Sequence, residues 1–220
     1  MNEAKKGAIR AQIASVILKL QNNNMSAAYA ENAEEAYRMV EAMLREGETV
    51  STGGSATLAE CGIIDLLRSG RYHYLDRTMA KTPEEIRRVY LDSFDADTYL
   101  CSCNALTLNG ELFNTDGNSN RVAALCYGPR RVILVVGCNK LVKDVDAAVA
   151  RLKTCAAPAN TVRLHCETPC AVTGSCVGLN GGMTAGCSTD ARICCNYVVS
   201  ARQRQKDRIH VILVGEPLGF

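Results

Sequence analysis

Half of the cysteines in this chain lie in one short segment. The 220-residue sequence has twelve cysteines, and six of them fall between residues 166 and 195. The segment is rich in glycine and threonine, so its irregular backbone can wrap around a bound ion. Thiolates gathered in this way are the ligands of iron–sulfur clusters and of zinc. The preferred set of four ligands is Cys170, Cys176, Cys187 and Cys194.

Several features of this segment leave its chemistry open. Cys194 and Cys195 are adjacent, and extended backbone turns such side chains apart, so we expect only one of them to ligate. Cys166 is the substitute ligand, and His165 is another if the metal is zinc. The spacing is neither the paired C-x2-C of a zinc ribbon nor the run of a ferredoxin. Glycine-rich residues 177–186 separate the second and third ligands. The hypotheses are an iron–sulfur cluster first, zinc second, and thiols without a metal third.

A glycine-rich turn is the second candidate for chemistry. Gly53, Gly54 and Ser55 follow a predicted strand and precede a predicted helix. Glycines let a ligand approach the backbone closely, and free N–H groups at a helix start favour phosphate or carboxylate. The turn matches neither the Walker A motif nor the dinucleotide fingerprint. The alternative is a tight strand-to-helix turn in which Ser55 is only the helix cap.

Polar residues are concentrated in the next part of the chain, between residues 104 and 121. Because ligands bind at the carboxyl ends of strands in open α/β sheets, these side chains and those after the strand at 131–136 form one candidate site. Glu111 or Asp116 is the candidate base or nucleophile. Lys140 is the third residue of the candidate catalytic group, and its expected role is to hold an anion. The candidate ligand-binding residues beside the glycine turn are Asn104, Asn118, Asn120, Arg121 and Asn139.

Strand and helix signals alternate along most of the sequence. Apolar residues recur with a helical period in residues 3–21, and the apolar runs at 131–136 and 209–214 are typical of strands buried on both faces of a parallel sheet. Further helices are predicted from Ser55 to Gly70 and from Val145 to Leu152. The predicted fold is α/β, with a mainly parallel sheet flanked by helices.

Local signals refine this organisation. Asn109-Gly110 predicts a tight hairpin turn, and Thr82-Pro83-Glu84-Glu85 predicts a helix start. Residues 1–24 are expected to form an N-terminal helix, and residues 25–220 a single α/β domain with its cysteine-rich segment at 165–196.

Composition excludes several functional classes. The 25 Lys and Arg residues nearly balance 23 Asp and Glu, so a general nucleic-acid binder is not expected. The longest aliphatic run, Val132 to Val136, is far too short to cross a membrane. The N-terminus lacks the apolar core of a secretory signal, which predicts a cytoplasmic protein with reduced cysteines.

The sequence resembles the LUD-domain family of lactate-utilisation proteins. The stretches that carry the resemblance are STGGSATL (51–58), NALTLNGELFNTDGNSNR (104–121), YGPRRVILVVGCNK (127–140), TPCAVTGSC (168–176), ARICCNYVV (191–199) and HVILVGEPLGF (210–220). Each stretch is weak alone, but together they extend over nearly the whole chain from about residue 25 onward.

The resemblance implies a fold like that of ribose-phosphate isomerase, glucosamine-phosphate deaminase and CoA-transferases. It also implies a link to bacterial lactate oxidation, as a component of an iron–sulfur oxidoreductase system with iron–sulfur or flavin subunits as partners. One alternative is an isomerase-like or CoA-transferase-like enzyme that binds an anionic phosphate, carboxylate or CoA. A second alternative is a binding module that senses metal or redox state. A homo-oligomer is also expected.

Overall fold

The computed structural model describes residues 2–220. It opens with helix α1 (Glu3–Asn22), whose first turn is capped by the Asn2 side chain, 2.9 Å from the Lys5 N–H. Ile13, Val16 and Leu20 are buried on one face of α1, as the helical period in the sequence predicts. This face packs on the first strand of the central sheet.

Ten strands form two sheets. In chain order they are β1 (Ser26–Ala30), β2 (Thr49–Thr52), β3 (His73–Leu75), β4 (Thr98–Cys101), β5 (Ala105–Thr107), β6 (Leu112–Asp116), β7 (Arg131–Gly137), β8 (Leu141–Val142), β9 (Asn196–Ser200) and β10 (Ile209–Val214). The larger sheet has six strands in the order β1-β10-β7-β4-β2-β3, and all of its pairings are parallel. The predicted α/β class with a mainly parallel sheet is confirmed.

The central strands are apolar because both of their faces are covered. Val132, Leu134 and Val136 of β7 join one hydrophobic cluster, whereas Ile133 and Val135 join another. Alternate residues of a strand point to opposite faces of a sheet, so the two clusters are the cores on either side of the sheet. This double burial is why the strand appears as an unbroken apolar run in the sequence.

Helices connect the strands. After α1 they are α2 (Ala33–Met43), α3 (Ala56–Glu60), α4 (Ile63–Leu67), α5 (Pro83–Asp92), α6 (Asn120–Cys126), α7 (Val145–Arg151), α8 (Ala157–Arg163) and α9 (Pro169–Thr173). Short 3-10 turns lie at Arg77–Met79 and Cys138–Lys140. The predicted start at Thr82 is confirmed, since Thr82 and Glu85 form a reciprocal capping box.

Two helices differ from the prediction. The helix expected from Ser55 to Gly70 is divided into α3 and α4 at Gly62, whose φ of 70° lies in the left-handed region. The helix expected to end at Leu152 continues through a π-helical segment, Leu152–Ala156, into α8. Pro158 stands at the start of α8 and lacks the N–H that a regular turn needs there, which accounts for the irregular hydrogen bonding just before it.

The smaller sheet was not predicted. Its four strands lie in the order β8-β5-β6-β9, with β5 antiparallel to β6 and β6 antiparallel to β9. The predicted hairpin turn joins β5 and β6, and Gly110 adopts a φ of 81° there. Because β9 directly follows the cysteine-rich segment, its pairing with β6 attaches that segment to the main body of the fold.

The parallel sheet determines where its connecting loops lie. The loops that follow β2, β3, β4 and β7 all leave the same edge of the sheet, at the carboxyl ends of the strands. Within residues 2–220, no helix combines the length and apolar character needed to cross a membrane. All twelve cysteines are free thiols in this fold.

Candidate ligand cleft and cysteine cavity

A cleft of about 590 Å³ opens at the carboxyl edge of the parallel sheet. We refer to it as the ligand cleft. Its walls come from the glycine turn after β2, the loops after β4 and β7, the start of α6, the end of α8, residues 190–193 and Cys195. The cleft therefore lies where the sequence argument expected polar side chains to converge.

Most of the predicted site residues lie at this cleft. Those that line it are Gly54, Ser55, Asn104, Asp116, Asn118, Asn120, Arg121 and Lys140. Gly53, Glu111 and Asn139 are not in its lining. Glu111 instead lies at the β5–β6 hairpin, where its carboxylate accepts a hydrogen bond from the Thr107 hydroxyl at 2.7 Å. This position keeps Glu111 away from any ligand in the cleft.

Asn139 and Gly53 have internal roles instead. The Asn139 side chain donates to the Gly219 carbonyl at 3.0 Å and accepts from the Leu218 N–H at 3.1 Å, so it holds the segment after β10. A Cβ atom at Gly53 would lie 2.8 Å from Cδ of Arg121. Gly53 is thus required by the packing of Arg121, and the close approach is to protein rather than to a ligand. Ser55 caps α3 by accepting from the Leu58 N–H at 3.2 Å.

Lys140 is a buried cation at the cleft. Only 3% of it is exposed, and its Nζ donates to Thr57 Oγ1 at 2.7 Å and to Ser102 Oγ at 2.9 Å. Within residues 2–220 Lys140 forms no ion pair. An ammonium has three donors, so these two bonds leave one N–H unused. Burial lowers the pKa of Lys140 to about 8.

Arg121 also lines the cleft, but the protein itself uses its hydrogen-bonding capacity. The guanidinium forms an ion pair with Asp116 at 2.8 Å and reaches four other residues. These further acceptors are the backbone carbonyls of Ser102 and Thr115 and the side-chain oxygens of Asn104 and Asn114. A guanidinium has five N–H donors, so none is left over for a ligand. Arg121 positions the surrounding residues.

Asp116 is committed in the same way. One carboxylate oxygen accepts from Arg121 Nε at 2.9 Å, and the other accepts from the Val122 N–H at 2.9 Å. Of the three predicted catalytic side chains, Lys140 alone lines the cleft and has no charged partner.

Four further residues at the cleft were missed by sequence reasoning. Arg77 follows β3 by two residues, so the strand-end argument that selected Lys140 applies equally to it. Arg163 lies at the end of α8, a helix that was not predicted. Burial and the nearby Arg77 lower the pKa of Arg163. Cys103 follows β4 and is buried, and Thr115 has a buried hydroxyl with no hydrogen-bond partner within residues 2–220.

A second, much smaller cavity, of about 20 Å³, lies beside the π-helical segment. We refer to it as the cysteine cavity. The four cysteines in its lining are the four preferred from the sequence, Cys170, Cys176, Cys187 and Cys194. Burial is the main cause that raises the pKa of Cys194 to about 12, and the three neighbouring thiols are a further cause.

The remaining cysteines of the segment lie elsewhere. Cys195 lines the ligand cleft, which bears out the expectation that adjacent Cys194 and Cys195 point apart. Cys166 and His165 are absent from the lining of the cysteine cavity. In this structure, no three His, Cys, Asp or Glu side chains of residues 2–220 are grouped closely enough to hold a metal ion.

A family model described as the LUD domain matches residues 13–214. The chain belongs to the LUD domain family. The expected family is therefore confirmed, and at this level the chain is a domain associated with lactate utilisation. A search of curated proteins finds no match.

Solved structures support the LUD domain fold. A crystal structure of a DUF162 family protein from Deinococcus radiodurans is similar over 95% of this chain and 98% of that chain, with 16% identity and a TM-score of 0.50. At this identity the similarity shows the fold alone. The similarity to eIF2B delta from Chaetomium thermophilum is too weak to support an argument, with 15% identity, coverage of 61% and 52%, and a TM-score of 0.34.

Proposed function

We propose that the ligand cleft of this LUD domain binds an anionic ligand through a carboxylate or a phosphate group, and serves hydroxy-acid metabolism. The observation that carries the proposal is Lys140, a buried ammonium whose hydrogen-bond partners are the neutral hydroxyls of Thr57 and Ser102. Burying a charge without a counter-ion is costly, so an anion that contacts the remaining N–H stabilises the site.

The charges around Lys140 support the same ligand class. The cleft lining contains five cationic side chains and two carboxylates. One carboxylate, Asp116, is paired with Arg121, while Arg77 and Arg163 form no ion pair within residues 2–220. This excess positive charge in a partly enclosed cleft attracts anions. The Thr115 hydroxyl and the amides of Asn118 and Asn120 supply neutral polar groups beside it.

The chemistry open to this cleft centres on Nζ of Lys140. With a pKa of about 8, part of the Lys140 population is neutral near physiological pH and can accept a proton. Asp116 is held by Arg121, and Glu111 lies outside the cleft. In an isomerase-like or CoA-transferase-like enzyme, Lys140 is therefore the group that binds the anion when protonated and moves a proton when neutral.

Ligand titration tests the proposal. We expect at least one of lactate, pyruvate, inorganic phosphate and CoA to bind by calorimetry and to raise the melting temperature. Lys140→Met removes the charge with little change in volume and should abolish that binding. Lys143→Met removes an exposed charge, 86% accessible, and should not change it. Failure of all four ligands to bind, or equal binding by Lys140→Met, would contradict the proposal.

A second candidate is a component of an oxidoreductase system, supported by the family association with lactate utilisation. Oxidation of lactate to pyruvate releases two electrons and two protons, so an acceptor is required. The cysteine cavity, at about 20 Å³, has room for about one atom and does not fit a multi-iron cluster. We therefore assign electron transfer to an iron–sulfur or flavin subunit that binds this chain, in the cytoplasm.

Reconstitution tests this candidate. The chain is mixed with the candidate flavin or iron–sulfur subunit, and lactate-dependent reduction of an artificial electron acceptor is measured. We expect reduction with both proteins and none with either alone. Equal reduction by the partner alone would remove this chain from the electron-transfer reaction, whatever the ligand affinity of the cleft. Native mass measurement on the isolated chain tests the expected homo-oligomer.

A further inference from the structure

We propose that the cysteine cavity is a binding site for a single thiophilic metal ion of the zinc class, held by the thiolates of Cys170, Cys176, Cys187 and Cys194. Residues 170–194 fold so that these four side chains line one cavity. Cys170 belongs to α9, whereas the other three lie on irregular segments between α9 and β9. Four thiolates around one ion form a common tetrahedral zinc site.

The size of the cavity favours one ion. Its volume is about 20 Å³, and a space of about 10–15 Å³ accommodates a single water-sized atom. An iron–sulfur cluster adds several iron and sulfide atoms and needs a much larger space. The cavity as it stands therefore favours one metal atom over a cluster, a choice that the spacing of the cysteines left open.

Hydrogen bonds to the sulfurs support ligation. The Gly178 N–H donates to Cys176 Sγ at 3.4 Å, and the Thr189 hydroxyl donates to Cys187 Sγ at 3.7 Å. Donors that point at sulfur stabilise a thiolate ligand. Cys195 shows the opposite arrangement, since its own Sγ donates to the Arg192 carbonyl at 3.3 Å. Cys176 and Cys187 thus accept hydrogen bonds at sulfur, unlike Cys195.

Two cations balance the charge of the proposed site. Lys153 and Arg192 both line the cysteine cavity, and neither forms an ion pair within residues 2–220. Lys153 is 2% exposed and donates to the carbonyls of Gly178, Gly181 and Gly182 at 2.6, 3.2 and 2.7 Å. Four thiolates and one divalent ion carry two negative charges, which these two cations neutralise.

Metal binding has a defined proton balance. Each thiol loses its proton to solvent as its sulfur forms a bond to the ion, so up to four protons are released for each divalent ion bound. The sulfurs must also move inward, because no three of them are yet grouped at ligand spacing in this structure.

Metal analysis of the full chain, purified without oxygen, tests the proposal. We expect one zinc or one iron atom per chain and no acid-labile sulfide. Cobalt(II) added to chelator-treated protein should give the sulfur-to-cobalt charge-transfer absorption of a tetrahedral thiolate site, with proton release on binding. Absence of both bound metal and this absorption would overturn the proposal, and so would several irons with sulfide.

Matched variants locate the site. Cys170→Ser and Cys194→Ser should each lower the affinity for cobalt at least tenfold, whereas Cys195→Ser should leave it unchanged. Lys153→Met removes a charge but no ligand, and it should weaken cobalt binding while preserving the shape of the absorption bands. Circular dichroism separates loss of metal from loss of fold. Equal cobalt binding by Cys194→Ser and Cys195→Ser would exclude this cavity.

Discussion

Cys194 and Cys195 are adjacent in sequence, but their side chains line different cavities. Cys194 lies in the wall of the cysteine cavity, and Cys195 lies in the wall of the ligand cleft. Arg192 lines both and donates to the carbonyl of Cys194 at 2.9 Å. One short segment therefore separates the proposed metal site from the proposed anion site.

Alkylation should distinguish the two thiols. Cys195 is exposed, so iodoacetamide should modify it quickly, and an anion bound in the cleft should slow this reaction. Cys194 should react slowly in either case, because burial raises its thiol pKa to about 12 and the thiolate is the reactive form. Mass spectrometry after timed alkylation, with and without bound anion, measures both rates. Protection of Cys194 but not Cys195 would contradict the assignment.

The affinity for lactate should depend on pH through Lys140. Lactate stays ionised over the neutral and alkaline range, whereas Lys140 loses its proton around pH 8. Affinity should be constant well below pH 8 and should fall by up to about tenfold per pH unit above it. The bound anion raises the pKa of Lys140. The midpoint of the fall in affinity should therefore lie above the pKa of Lys140 in the free protein. Calorimetry across this range should find no such slope for Lys140→Met.

Lys140 should also make stability depend on pH. Its pKa is lowered on folding, so between about pH 8 and its ordinary value of 10.5 the unfolded chain binds more protons. The free energy of unfolding contributed by Lys140 therefore rises with pH across this window and is constant below it. Denaturant unfolding of the wild type and of Lys140→Met isolates the effect, because the thiols that titrate in the same window are common to both. A difference that does not change with pH would refute it.

Two adjacent glycines should respond differently to the same substitution. Gly53→Ala places a Cβ 2.8 Å from Arg121 Cδ and should destabilise the fold by about 1–3 kcal/mol. Gly54→Ala meets its nearest atom, an Arg163 nitrogen, at an ordinary 3.7 Å and should change stability by less than about 0.5 kcal/mol. Denaturant unfolding measures both. Equal effects would show that Arg121 does not set the requirement for glycine.

The buried side chain of Lys153 should be important for the local order of glycine-rich residues 177–186. Lys153→Met leaves three carbonyls of residues 178–182 without their donor, which should destabilise the chain by about 2 kcal/mol. Limited proteolysis should then cleave first within residues 177–186. Lys143→Met, at an exposed lysine, is the control. Unchanged protease resistance in Lys153→Met would show that the loop is held by other contacts.

The parts of the fold with local signals were predicted from the sequence. The apolar strand β10 (Ile209–Val214) and the capping box at Thr82 were recognised because burial on both faces and helix capping leave direct patterns. The hairpin of β5 and β6 was predicted, but the rest of the smaller sheet was missed. Strand β8 is only two residues long, and the pairings of β8 and β9 depend on contacts between distant segments.

The candidate site residues also divide into those that the sequence could identify and those whose role depends on the folded structure. The four cysteines of the cavity were selected by residue type and by their concentration in one irregular segment, and the fold places all four in the lining of one cavity. The assignment of Arg121 as a ligand group was less successful. In the sequence, an arginine in a polar loop gives the same signal whether it binds a substrate or other parts of the protein. Only the folded structure shows that all five donors of Arg121 are used within the protein.

The contacts of Arg121 also limit how the protein can move. This one side chain joins the loop after β4, strand β6 of the smaller sheet and helix α6. Arg121 thereby links the two sheets beneath the cleft, and we expect them to move as one rigid body. Any closure over a bound ligand must come from the periphery, where Arg77, Arg163 and residues 190–195 lie. The floor of the cleft should then keep the same geometry whether or not a ligand is bound. Only the residues at its rim should move to accommodate ligands of different size.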